Sequence, residues 1–477
     1  MVSPDFFERE NFMLFSSLTF LFVFLPVVIG VYYLLPTKVK NIWLLLASLF
    51  FYFYGEPKYL VLMISVIVSS YIFGLLTDKA EGKKRKILTV LSVVVNLSAL
   101  IFFKYTDFFI GTVNSVFGSD IGLLKLALPI GISFYTFQAI SYNVDVYRKD
   151  VPAQKNIINL ALYISLFPQL VAGPIVRYSD INNSLNSRTH SLESFSCGVR
   201  RFVIGFSKKV LLANSLGTIC ETFRDTPEKS TLFFWIYAVA FTLQVYFDFS
   251  GYSDMAIGLG SMFGFRFVEN FRHPFVSTSV TEFWRRWHIS LGSWFRDYVY
   301  IPMGGNRVKR FRFFINILTV WFLTGFWHGA DWTFIIWGLY FAALLLIEKS
   351  VPNSIKEKTP KFIGHVYLIF VALIGFVIFN ASGVDGAISD LRGMFTASYP
   401  FVTDTTLYYL RSYAPLLIIG AIGSTPLVKT AVNKLSETKA GAKITAVAEP
   451  IVILALLTAV TAYLIDGSYN PFLYFRF

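Results

Sequence analysis

Two histidines stand where acid–base chemistry is feasible. His288 lies in Thr281-Glu282-Phe283-Trp284-Arg285-Arg286-Trp287-His288-Ile289-Ser290, the densest run of ionisable and aromatic residues in the chain, followed by Trp294-Phe295-Arg296-Asp297-Tyr298. His328 lies in Gly325-Phe326-Trp327-His328-Gly329-Ala330, at the end of an apolar run that begins at Phe313. An imidazole with an ordinary pKa near ~6.5 both accepts and returns a proton near neutrality, and burial favours its neutral, basic form. Such a base suits activation of a hydroxyl against a thioester. The plainer alternative for His328 is a satisfied core residue of an apolar helix. His190 and His365 occupy loop or loop-edge positions and His273 precedes Pro274, so they are weaker candidates. No HExxH-type spacing and no in-register carboxylate accompany His288 and His328, and Cys197 and Cys220 lack metal spacing, so no metal site is expected.

Continued as a helix, residues 282–295 place Trp284, Trp287, His288, Leu291 and Phe295 on one face, with Glu282, Arg285, Arg286 and Ser293 mostly elsewhere. One reading is a basic aromatic helix snorkelling at a membrane interface. The other is the wall of a cytosol-facing entrance for an anionic donor, with Gly304-Gly305-Asn306-Arg307 and Lys309 adding phosphate contacts. Ionisable groups within apolar segments cost at least ~2.5–3.5 kcal/mol each, so they call for partners or a function. Asp248, Ser250 and Asp254 fall in Tyr246-Phe247-Asp248-Phe249-Ser250-Gly251-Tyr252-Ser253-Asp254. That segment reads either as hydrogen-bonding glue between helices or as the lining of a reaction cavity. Gln138 and Gln169 are further polar residues inside apolar runs.

The elements that position these residues belong to a membrane protein. Of 477 residues, 55% are hydrophobic and 15% charged, and the mean hydropathy is +0.58, which excludes a soluble globular domain. Stretches long enough to span, ~20 residues each, recur from Phe15 onward and suggest about eleven transmembrane helices. The chain reads as one integral membrane domain over 1–477, with core motifs in 128–345 and C-terminal helices in 362–477. The net charge of +13 sits in short clusters beside apolar spans, so it sets topology against lipid headgroups and does not imply nucleic acid. Spans near 15–35, 42–54, 58–77, 87–103 and 124–143 put Lys38 and Lys40, then Lys79 to Lys86, then Arg148 and Lys149 in alternate loops. The positive-inside rule makes those loops cytosolic and both termini extracytoplasmic. Gly55-Glu56-Pro57 predicts a tight corner, and Met13 is a second candidate start. From 157 to 300 the apolar runs are broken at Phe167-Pro168, at Ala172-Gly173-Pro174 and from Asn270 to Arg296. Backbone of that kind at membrane depth fits a re-entrant centre around a cavity. Amphipathic pieces at 151–156 and 385–396 are expected to lie in the interface.

The combination resembles the membrane-bound O-acyltransferase family, in its bacterial alginate O-acetyltransferase-like branch. The resemblance rests on residues 245–256 (Val-Tyr-Phe-Asp-Phe-Ser-Gly-Tyr-Ser-Asp-Met-Ala), 282–291 (Glu-Phe-Trp-Arg-Arg-Trp-His-Ile-Ser-Leu), 294–306 and Phe326-Trp327-His328-Gly329-Ala330. It extends to 128–138 and 167–175, so it covers essentially the whole chain. The resemblance implies an all-α polytopic fold, a ring of helices with re-entrant and interfacial pieces around a central funnel, in a bacterial inner membrane. It implies His328 as the residue essential for acyl transfer, near the narrow point, with His288 on its cytosolic side. Trp284, Arg285, Arg286, Trp287, Arg296, Asp297, Asn306, Arg307, Asp248, Ser250, Asp254, Trp327, Gln138 and Gln169 are the candidates for lining the donor site and tunnel. The implied donor is acetyl-CoA, with no permanently bound cofactor. The implied partner is an extracytoplasmic SGNH-hydrolase-like transferase that esterifies a polysaccharide such as alginate, another exopolysaccharide or peptidoglycan. Pro302-Met303-Gly304-Gly305-Asn306 favours this branch over the D-alanyl-teichoic-acid exporters of the same family.

The tail ends Ser468-Tyr469-Asn470-Pro471-Phe472-Leu473-Tyr474-Phe475-Arg476-Phe477. It is either an aromatic interface anchor or a relay in which the Tyr474 hydroxyl carries the acetyl group outward. A secondary transporter is the rival from another class, since broken helices and midplane polar residues also occur there.

Overall fold

An apolar stretch that leaves water can satisfy its backbone only within itself, as a helix, and this chain follows that rule. The computed structural model describes Met13, residues 15–171, residues 173–466 and Leu473, with no strand among them. Among the described residues, seven helices are long and apolar enough to cross a bilayer: Pro57–Lys79, Gly82–Phe117, Leu192–Asp225, Thr231–Met262, Trp332–Ser350, Lys361–Asn380 and Lys439–Ile465. Asp404–Gly423 and Leu427–Ser436, bent by 62° at their junction, make an eighth. The difference from the expected eleven lies in helices that are shorter or carry more polar residues, among them Phe20–Leu34 and Ile132–Arg148.

The described residues form two compact units. The first takes in residues up to 202 together with 255–268, and the second takes in 203–254 and residues from 269 onward.

In the first unit, Leu60–Lys79, Gly82–Phe117 and Ile132–Arg148 pack on one another. Gly74 lets Tyr142 approach so closely that an added Cβ would stand 2.7 Å from its hydroxyl. The buried Arg85 donates to the carbonyls of Val146 (2.6 Å) and Tyr147 (3.0 Å), closing the C-terminus of Ile132–Arg148 with a cation. The Gly55-Glu56-Pro57 corner is present, as a 3-10 turn over Pro57–Tyr59. One expectation fails here. The span near 124–143 begins only at Ile132, because Gly131 adopts φ +72 against the Leu170 carbonyl and Asp107 holds the N–H groups of Leu124 and Lys125. The piece at 151–156 is not helical: the Gln154 N–H donates to the Tyr142 hydroxyl and Asn156 caps the following helix through the Ile158 N–H. The break at Leu166 is as expected, and the Phe167 N–H finds the Ser48 hydroxyl at 3.1 Å.

In the second unit, Arg310–His328 and Trp332–Ser350 form a close hairpin. Gly325 lies against the Phe334 carbonyl and Gly338 against the Trp321 carbonyl, so the backbones meet without side chains between them. The amphipathic piece near 385–396 is helical over Gly383–Phe395, and its buried Asp390 takes both guanidinium arms of Arg224 at 2.6 and 2.8 Å. Lys439–Ile465 is the opposite case, with 6% of its most apolar window buried.

Within the first unit Gly198 and Gly258 meet backbone to backbone: a Cβ on Gly258 would stand 2.6 Å from the Gly198 carbonyl and 2.7 Å from the Phe202 nitrogen. Gly258→Leu is therefore expected to destabilise the protein by about 1–3 kcal/mol through overpacking, seen as a lower thermal midpoint in detergent. Gly30→Ala, where nothing lies within 4 Å, should leave the midpoint in place.

Candidate active site

The chain from Val280 onward does not run as one helix. Val280–Arg286 ends at Trp287, which is extended (φ −103), His288 is left-handed (φ +45), and a new helix starts at Ile289. The single face drawn through Trp284, Trp287, His288, Leu291 and Phe295 is thus corrected to two short helices with a corner between them. Asn270 makes the corner possible. Its backbone carbonyl accepts the Ile289 N–H at 3.0 Å, and the Arg272 N–H donates to the Arg286 carbonyl at 2.9 Å. Its side-chain carbonyl gathers His288 Nδ1 (3.2 Å), the Ser290 N–H (3.2 Å) and the Ser290 hydroxyl (2.9 Å), while its amide nitrogen donates to Ser253 (3.0 Å). The Phe249 ring meets the His288 imidazole edge to face at 4.5 Å.

The other end of Val280–Arg286 is closed by Glu348, from the helix Trp332–Ser350, whose carboxylate accepts the N–H groups of Val280 (2.6 Å) and Thr281 (2.9 Å). Anionic charge at a helix N-terminus is stabilising there. Glu282 turns back to the Thr278 N–H and pairs with Arg286 at 2.8 Å. Burial pushes the Glu282 carboxyl up, but the Thr278 N–H and Arg286 outweigh it and hold the group below its usual value. Arg286 is accordingly committed to Glu282 and to the Arg272 carbonyl.

His328 is the last residue of Arg310–His328 and is buried among the rings of Trp327 (5.0 Å), Trp337 (5.1 Å) and Phe379 (5.3 Å). Trp327 also lies 6.0 Å from the His288 ring. Both histidines line one cavity of about 610 Å³, a volume typical of small-ligand sites. Its wall is aromatic and aliphatic, with Trp284, Trp321, Ile317 and Leu345, and the exposed cations Arg285, Arg296 and Lys349 also line it.

Of the residues expected from sequence, Trp284, Arg285, Trp287, His288, Arg296, Asn306 and His328 line this cavity, whereas Arg286, Asp297, Arg307 and Trp327 do not. Arg296 is held by Asp297 at 2.6 Å, and Asn306 accepts from the Tyr300 hydroxyl. Asp248, Ser250 and Asp254 lie outside the lining as well. Asp248 forms a buried ion pair with Lys209 at 2.7 Å and accepts the Leu473 N–H at 3.2 Å, and Asp254 pairs with Lys208 at 2.6 Å. For the two aspartates the bonding is that of helix-to-helix glue. Gln138 and Gln169 belong to the first unit, where the Gln169 amide donates to the Tyr163 carbonyl. Tyr474 lies outside the described residues. Sequence reading missed the roles of Asn270, Glu348, Lys349 and Tyr300. In the sequence Asn270 marks only the start of an irregular stretch.

Residues 150–386 match the membrane-bound O-acyltransferase family model. The chain is 40% identical to the probable alginate O-acetylase AlgI of Azotobacter vinelandii, over 98% of this chain and 100% of the relative. It is 35% identical to the peptidoglycan O-acetyltransferase of Helicobacter pylori, over 81% and 80% of the two chains. A teichoic acid D-alanyltransferase of Bacillus subtilis is 29% identical over 45% of this chain and 58% of its own.

Asn270→Ala removes the common acceptor of three groups at the corner. Buried donors left without acceptors cost about 1–3 kcal/mol, so a lower thermal midpoint is expected. The backbone pairing at Ile289 and Arg272 should remain, which hydrogen exchange at those two amides would report.

Proposed function

The chain belongs to the membrane-bound O-acyltransferase family, and from that premise we propose that it takes acetyl from cytosolic acetyl-CoA and passes it across the membrane for O-acetylation of an extracytoplasmic polysaccharide. It is an O-acyltransferase and a multi-pass membrane protein. The observation that carries the finer reading is the convergence of His288 and His328 on one cavity that Arg285, Arg296 and Lys349 also line. Cations suit the phosphates of a nucleotide-linked donor, and the aromatic wall suits the thin apolar arm that bears the thioester. Among the described residues His288 Nε2 and the Trp284 indole N–H, both on residues lining the cavity, are buried without a hydrogen-bond partner, which fits polar contacts completed by substrate.

In this reading a ring nitrogen of His328 takes the proton of an acceptor hydroxyl as that oxygen attacks the thioester carbonyl. The carbon–sulfur bond breaks, and the proton passes to the departing CoA sulfur. His288, oriented by Asn270, sits on the cytosolic side. The first acceptor is the hydroxyl of Tyr474, which then carries the acetyl group as an ester. Support comes from its neighbour Leu473, which is buried with its N–H on Asp248. An SGNH-hydrolase-like partner outside the membrane would take the acetyl group from that ester and pass it to alginate, another exopolysaccharide or peptidoglycan. The protein sits in a bacterial inner membrane with both termini extracytoplasmic. Acetyl is favoured over D-alanyl because the D-alanyltransferase likeness covers 45% of the chain and the O-acetylase likeness 98%.

His328→Ala is expected to lower CoA release from acetyl-CoA by purified protein about 10²–10⁴-fold, the usual contribution of a positioned base, with yield and thermal midpoint kept. Unchanged turnover would remove His328 from the chemistry, and a purely transporting protein would release no CoA at all. In cells, Tyr474→Phe should abolish glycan acetylation while the protein accumulates normally; acetylation at the wild-type level would rule out the relay.

A further inference from the structure

His190 takes no part in the chemistry above, yet it sits in an organised cluster of the first unit. Its Nε2 is 2.8 Å from the Tyr32 hydroxyl, which donates to the Phe263 carbonyl at 3.0 Å. Arg188 donates through Nε to the same hydroxyl (3.2 Å), through Nη2 to the Asn41 side chain (2.7 Å) and through Nη1 to the Ser184 carbonyl (3.2 Å), with its guanidinium over the Phe265 ring at 4.4 Å. The Lys40 ammonium lies over the rings of Tyr32 and Tyr33, 4.6 and 5.3 Å from their centroids. Three basic groups thus converge on one tyrosine, and among the described residues every hydrogen-bond partner they have is neutral. Burial, Lys40 and Arg188 together push the His190 imidazole below its ordinary value.

Like charges held this close repel unless an anion joins them. Two further features point to that anion and to its carrier. The helix Thr37–Gly55 starts beside the cluster with no side-chain cap on its N–H groups, an arrangement that favours phosphate. Leu34 (86% exposed) and Leu192 (89%) flank the cluster in sequence, so apolar surface adjoins the charge as acyl chains adjoin a headgroup.

We propose that Lys40, Arg188 and His190 form a binding site for a phosphate group, carried by an anionic phospholipid of the cytosolic leaflet. None of these three residues lines the cavity of His288 and His328, and the proposal stands or falls independently of the acyl-transfer reading.

The test adds phosphatidylglycerol, phosphatidylcholine or inorganic phosphate to the detergent-purified full chain and follows its thermal midpoint and lipid adducts by native mass spectrometry. Phosphatidylglycerol, and not phosphatidylcholine, should raise the midpoint and form adducts. Lys40→Met, which removes the charge from a side chain whose contacts among the described residues are with rings, should weaken this binding about tenfold, the worth of one charge-assisted contact. Arg188→Gln should weaken it at least as much. If inorganic phosphate gives the same shift and loses it in both variants, the site holds with a soluble phosphate as its occupant. Equal responses of wild type and Lys40→Met to phosphatidylglycerol would overturn the proposal.

Discussion

The side-chain carbonyl of Asn270 holds together a corner the backbone would not hold alone. A non-glycine residue in the left-handed region costs about 1–2 kcal/mol, and His288 is such a residue. One amide offsets that cost by accepting from the His288 ring and from the backbone and hydroxyl of Ser290, and by donating to Ser253. The corner in turn decides what the following helix can present. Ile289–Phe295 starts in a new direction and brings Leu291, Phe295 and Arg296 to the cavity wall. A straight helix through this segment would have carried His288 along one face with Trp284.

Glycine does the equivalent work on the opposite wall. Gly325 and Gly338 let the His328 helix and Trp332–Ser350 touch through their backbones, so His328 ends its helix against Trp337. The second helix then delivers Glu348 to the N-terminus of Val280–Arg286 and Lys349 to the cavity. One tight hairpin therefore sets an imidazole, a helix cap and a cation. The Gly325 contact serves close packing, since a side chain there would meet the Phe334 carbonyl.

Much of this was legible in the sequence. Hydropathy and charge alternation gave a polytopic helical protein, and the Trp-His-Gly and Arg-Arg-Trp-His segments pointed to His328 and His288. The broken run at Phe167-Pro168 marked a true helix break, since a proline there removes a backbone donor. The corner at His288 was not legible because neither Trp287 nor His288 breaks helices by type; a side chain eighteen positions earlier does so. For the same reason Arg286 looked available, although the i, i+4 spacing to Glu282 already offered it a partner. Lys349 and Glu348 depend on which helix packs where, and periodicity carries no such information. Asp248 and Asp254 are open between two readings in the sequence, and their ion pairs with Lys209 and Lys208 agree with the bonding one.

Lys439–Ile465 has 27 residues, about 40 Å at ~1.5 Å per residue, against a hydrocarbon thickness of about 30 Å. Six per cent of its most apolar window is buried, so lipid, more than protein, fixes its inclination. Such a helix absorbs hydrophobic mismatch by tilting. Its orientation is thus coupled to bilayer thickness, and a thinner membrane lays it further over. The composition of the surrounding membrane becomes a mechanical input to the last helix before the C-terminal tail.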